Sequence, residues 1–311
     1  MNNRESQFEQ VLTTFPEATR EHLRAIPSNG GRLTVAQCRD LGEMLGIAVE
    51  ALMVRLLPIA KVYAVTPISH FQVGAVAKAR APARASEFEL YLGANIEFMN
   101  QALGQTVHAE QAATVNAWLS GSEKLQSIAA SAAPCGHCRQ FLYEFEGSNT
   151  LMIITPSGGP SGFDATRLTE LLPDAFGPHD LKKKAGLMAP RKVQRRLTLK
   201  TPSADALVLE ALSAANQSYA PYTNTSAGCS IQTSDGRVYT GRYAENAAFN
   251  PSLSPLQTAI SCMNMDQLTD RPTITRAVLV EKVSGSRQRD ATELVLRSVA
   301  PHVGLEYFMA V

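Results

Sequence analysis

The chain has 311 residues, 45% of them hydrophobic and 18% charged, with a formal net charge of +1. That length favours about two domains, and the composition is that of a globular protein with a sizeable core. Near-zero net charge gives no electrostatic footing for a nucleic acid polymer. The opening MNNRESQFEQ shows no leader pattern, and no apolar run reaches the ~20 residues of a membrane span.

In chain order, FEQVLTTF and REHLRAI carry apolar residues at helical spacing, broken at Pro16 and at the Ser28–Gly31 cluster. Thr34 starts a third helix, VAQCRDLGEMLG, and EALMVRLLPIA is a fourth. A small helical module over residues 1–52 is therefore expected. HFQVGAVAKA and ELYLGANIE read as strands, VHAEQAATVNAWLSG as a helix stopped at Gly121, and LQSIAAS as a strand. Pro134 suits the first turn of a helix CGHCRQFLYEF, and TLMIITP is another strand. Strands alternating with helices predict a layered α/β domain over 53–157.

Residues 158–197 read as a linker with one short helix, DATRLTELL, and a basic stretch (Lys182–Lys184, Arg191–Arg196) taken as a solvated surface. Over 198–311 the pattern recurs. SAGCSIQTSDGRVYTGRYAENAAF matches the earlier strand–loop–strand, PLQTAISCMNM the first helix of that domain, and RAVLVEK a later strand. ATELVLRSVAP closes the chain. This predicts a degenerate second copy of the same fold.

The cysteines, Cys38, Cys135, Cys138, Cys229 and Cys262, are odd in number and irregularly spaced, which speaks against a disulfide framework and for a reducing cytoplasm. A close pair such as Cys135 and Cys138 reads as metal-ligating or redox-active. Two thiolates with the imidazole of His108 suit zinc. Helix N-termini favour the thiolate over the thiol, and three protein ligands leave a fourth tetrahedral position open for water. Glu110, two residues beyond His108, is placed to take a proton from that water. H-x-E followed by P-C-x-x-C is the known signature of zinc deaminases of nucleobases. A structural zinc module or a redox pair remains the alternative. His137, between the cysteines, should leave its helix on another side.

TVHAEQAA, APCGHCRQF, FQVGAV and LGANIEF together resemble the cytidine deaminase family in its homodimeric, duplicated-domain form, and LPDAFGP (Leu172–Pro178) matches a segment of that subfamily. The resemblance implies a three-layer α/β/α core, duplicated, with one Zn2+ per subunit on His108, Cys135 and Cys138 and a proton shuttle at Glu110. It also implies that Asn95 and Glu97 hold the ribose 3′-hydroxyl and that Phe71 lines the pyrimidine pocket. The carbonyls of Ala109 and Ala133 would receive the leaving amine, and Phe176 would reach the base in a neighbouring subunit. The substrates implied are cytidine and deoxycytidine, with no nucleic acid polymer and no membrane as partner. In the second half, Ser254-Pro255-Leu256 stands where a ligand and a glutamate are needed, and no cysteine pair lies near Val283–Ser286. That half should bind no zinc and act as a scaffold.

Overall fold

The computed structural model describes all residues except 1–2, 83–85, 191–195, 267 and 269–271, so most of the basic stretch at 191–196 lies outside the described residues. The chain opens with helices α1 (Asn3–Leu12), α2 (Glu17–Arg24), α3 (Val35–Leu45) and α4 (Val49–Val62). Thr34 caps α3 through a capping box with Gln37, satisfying amides that the first helical turn leaves without partners. Between α2 and α3 lies a two-residue strand, β1 (Arg32–Leu33).

The first sheet adds β2 (Gly74–Arg80), β3 (Phe88–Ala94), β4 (Leu125–Ala130), β5 (Met152–Pro156) and β6 (Phe163–Arg167), in the order β1-β3-β2-β4-β5-β6. Helices α5 (Ala109–Leu119) and α6 (Gly136–Tyr143) connect its strands, and α7 (Leu168–Leu171) follows it. Side chains alternate across this sheet as the pleat requires. Val76, Leu90, Leu92, Ala129 and Ile154 face α4 and the N-terminal helices, whereas Ala75, Ala77, Tyr91, Ile128 and Ile153 face α5 and α6.

The second half contains α8 (Ala206–Asn216), β7 (Ala227–Thr233), β8 (Val238–Arg242), α9 (Pro255–Met265), β9 (Ile274–Glu281), α10 (Arg289–Val299) and β10 (Leu305–Met309). Its sheet order, β8-β7-β9-β10, repeats β3-β2-β4-β5 with the same strand directions. The two inner helix layers share one core, in which α5 packs on α9. The helix starts also exchange hydrogen bonds reciprocally. Gln111 donates to the carbonyl of Pro251, three residues before Ser254, and Gln257 donates to that of Gln105, three residues before His108. A duplicated α/β/α fold is therefore present, as the sequence repeat predicts.

Some elements differ from expectation. DATRLTELL is not one helix: residues 163–167 pair antiparallel with β5, and only Leu168–Leu171 is helical. The pairing supplies partners to an otherwise open edge of β5, which outweighs local helix preference. The strand expected from His70 begins only at Gly74, because Asn95 bonds the carbonyl of Phe71 and the amide of Val73. Helix α8 and strand β10 are additions to the predicted set.

Helix and sheet approach closely through glycines. A Cβ on Gly93 of β3 would lie 2.1 Å from the Ala113 nitrogen in α5, and one on the equivalent Gly241 of β8 would lie 2.0 Å from the Pro255 carbonyl oxygen in α9. Only a residue without Cβ permits that contact.

Candidate active site

Two helix N-termini converge on one point. His108 is the N-cap of α5, in extended conformation, and its amide donates to the Gln111 side chain at 3.0 Å. Cys135 is the N-cap of α6, and Cys138 lies three residues on, in the first turn. The His108 Nδ1 atom is 3.2 Å from the Cys138 sulfur and 3.6 Å from the Cys135 sulfur. Tetrahedral zinc with bonds of about 2.3 Å to sulfur and about 2.05 Å to nitrogen places such atoms roughly 3.6 Å apart. The three ligand atoms lie within 4.8 Å of one another, and they fit zinc with little adjustment.

The electrostatics favour a cation. The Cys135 thiol is lowered to about 4, because Cys138 donates a hydrogen bond to it and the amides of Cys138 and His137 point at its sulfur. Cys138 is pushed up by that same bond and by burial. A divalent ion bound here favours the thiolate form of both cysteines. Glu110, in the first turn of α5, is 4% exposed, and burial raises its carboxyl above the ordinary range. A buried carboxyl with raised pKa beside an open metal position suits a group that takes and returns a proton.

The metal group opens on a cavity of about 320 Å³ lined by Phe71, Asn95, Glu97, His108, Ala109, Glu110, Ala133 and Cys135. That size falls in the range of small-molecule sites. Asn95 holds the loop before β2 through both ends of its amide. Its oxygen accepts from the Val73 amide and its nitrogen donates to the Phe71 carbonyl, both at 2.9 Å. Glu97 accepts from the Ile68 and Ser69 amides at 2.8 and 3.0 Å and from the Ser69 hydroxyl. Burial pushes the Glu97 carboxyl up, but these donors outweigh it and hold it below its ordinary value. Phe71, 63% exposed, stands at the rim.

Phe176 is not among the residues lining this cavity; it lies in an exposed loop whose carbonyl accepts from Gln140. His137 lies beside the His108 ring at 5.2 Å and faces the Gln111 amide, so it does not join the sulfur–imidazole cluster. Ser69 was not foreseen. Its signal is the second copy, where Thr223 occupies the matching position and makes the matching contacts to Glu245.

Residues 48–154 and 168–293 each match the family profile described as the cytidine and deoxycytidylate deaminase zinc-binding region. The cytidine deaminase of Photorhabdus laumondii is 43% identical over 299 residues, covering 95% of this chain and 96% of its own. That of Aliivibrio fischeri is 39% identical over 310 residues, 99% of both chains. The chain belongs to the cytidine and deoxycytidylate deaminase family. A crystal structure of cytidine deaminase from Burkholderia pseudomallei is 28% identical over 40% of this chain and 97% of its own, with a TM-score of 0.34.

As a member of that family the chain takes Zn2+, and the His108–Cys135–Cys138 group is suited to hold it. In the second half of the deaminase, Ser254 caps α9 where His108 caps α5, and buried Leu256 stands where Glu110 stands. Among the described residues, no second group of potential ligands is found there. No helix among them is long and apolar enough to cross a membrane.

Proposed function

We propose that this chain hydrolyses cytidine and 2′-deoxycytidine to uridine and 2′-deoxyuridine, releasing ammonia, in pyrimidine salvage. The observation that carries this reading is the cluster of His108, Cys135 and Cys138 facing a cavity that also holds buried Glu110 and the polar pair Asn95 and Glu97. His108, Cys135 and Cys138 would hold zinc, whose Lewis acidity makes a water able to lose a proton near neutral pH. Glu110 accepts that proton as the water oxygen bonds to C4 of cytosine, and returns it to N3. It next moves the hydroxyl proton to the exocyclic amine, the C4–N bond breaks, and ammonia leaves a C4 carbonyl with N3 protonated. One carboxyl thus acts as base and then as acid.

Asn95 and Glu97 retain a second N–H and unshared lone pairs for a ribose hydroxyl, beyond those engaged with the loop. Phe71, Ala109 and Ala133 all line the cavity, which supports a role for Phe71 against the base and for the Ala109 and Ala133 carbonyls in receiving the departing amine. The active form is a cytoplasmic homodimer in which Phe176 reaches the neighbour's base; its exposure and its absence from the lining of its own cavity support that role. The chain divides into a helical module (1–52), a catalytic domain (53–157), a connection (158–197) and a second domain (198–311) without catalysis.

Metal analysis with ammonia release from a substrate panel tests this reading. One zinc per chain is expected, with turnover of cytidine and deoxycytidine and little of cytosine, cytidine monophosphate or adenosine. Turnover confined to the last three would contradict it.

A further inference from the structure

Glu144 is fully buried, yet it takes no part in the reaction above. It is the C-cap of α6, the helix whose first turn bears Cys135 and Cys138. Its side chain leaves the catalytic half and enters the second. One carboxylate oxygen accepts from the Tyr219 and Tyr222 hydroxyls at 2.6 and 2.5 Å, and the other accepts from the Ala247 amide at 2.8 Å. Nearby, the Asn246 amide donates to the Gln140 carbonyl of α6 at 3.1 Å. Burial raises the Glu144 pKa, and the two phenols offset that in part.

The repeat supplies an internal comparison. Val65 and Tyr219 occupy equivalent places, each bridging to the strand end that leads to Glu97 or Glu245. Ile68 and Tyr222 are equivalent too, each donating its amide to that glutamate. The catalytic copy is apolar at both positions, whereas the second copy carries two phenols directed at one carboxylate. That difference is what a receptor for Glu144 requires, because a buried carboxylate without donors is costly.

We infer that Glu144 is a positioning residue, which locks the far end of α6 into the second half and so holds Cys135 and Cys138 at metal-binding distance from His108. Helix α6 has eight residues and is about 12 Å long, short and stiff enough to carry a shift at Glu144 to its other end. The second half, without ligands of its own, would in this way sustain the metal site of the first. The inference rests on the zinc assignment above.

The test is the rate of zinc transfer from the loaded protein to an excess of a coloured chelator. Glu144→Gln keeps shape but turns an N–H donor toward either the Ala247 amide or the phenols. It should release zinc about tenfold faster, the lower end of what support around metal ligands contributes. Tyr222→Phe, a milder change, should release it a few-fold faster and carries the test should Glu144→Gln not fold. Asn264→Ala removes different bonds between the halves, one from α9 to the Tyr63 carbonyl and one accepted from Arg4, and should leave the rate unchanged. Wild-type rates in both Glu144→Gln and Tyr222→Phe, or equal acceleration in Asn264→Ala, would overturn the inference. A wild-type protein that never loads zinc would remove the metal assignment as well, and is recognised by its own metal analysis.

Discussion

Replacing Gly93 by alanine should damage the enzyme more than its matched partner in the second half. The added Cβ would lie 2.1 Å from the Ala113 nitrogen and 2.6 Å from its Cα, both backbone atoms of α5. Restoring an ordinary contact of 3.4 Å moves α5 about 1.3 Å off the sheet, since no flexible side chain can yield. Overpacking of this kind costs roughly 1–3 kcal/mol. At this chain length that lowers the melting temperature by roughly 1.5 °C per kcal/mol. Helix α5 carries His108 and Glu110, and a misplacement of about 1 Å at reacting groups costs on the order of 10²-fold in rate. Gly241→Ala displaces α9 in the same way, but α9 carries Ser254 and Leu256 in place of those groups. Thermal melting and steady-state kinetics on both variants give the comparison. Similar losses of stability are expected, with a much larger loss of kcat for Gly93→Ala. Equal kcat losses, or an unaffected Gly93→Ala, would refute the reasoning.

Cys138→Ala should lose zinc and become less stable, because the site ties α5 to α6; metal analysis and melting check both. Chelation of the wild-type protein should lower its melting temperature similarly, by an amount that grows with metal affinity. Ser254→Ala removes the cap of α9 and should cost about 1 kcal/mol with little effect on kcat. Ser69→Ala frees one oxygen of Glu97 and should raise KM more than it lowers kcat. Glu97 also sets a pH dependence. Its folded-state pKa is lowered, so its contribution to stability is present above the ordinary carboxylate value and is lost as pH falls through the lowered one. Ser69→Ala should make that contribution smaller and complete its loss at a higher pH, as acid melting curves would show.

The metal group was legible because its pieces are local. His108-x-Glu110 and Cys135-x-x-Cys138 each sit within one helical turn, although Pro134 precedes the N-cap Cys135 and lies outside the first turn of α6, where the sequence suggested it. The duplication was legible for the same reason, as PLQTAISCMNM is α9 residue for residue. What escaped depends on partners far along the chain. Glu144 meets Tyr219 and Tyr222 across 75 and 78 residues, and nothing near it in sequence marks it as buried. Strand β6 owes its form to the open edge of β5, and β10 to a parallel neighbour, β9, reached across α10. Helix α8 lies in ALVLEALSAAN, apolar along much of its length because one face is buried on β7 and β9.

The most direct test of the central claim is the ultraviolet spectrum of cytidine incubated with zinc-loaded protein, beside an equal sample of zinc-loaded Glu110→Gln. Conversion to the uridine spectrum by the wild type, with the variant retaining its zinc and losing nearly all turnover, is the predicted result. Substantial conversion by Glu110→Gln, or none by the zinc-loaded wild type, would contradict the account.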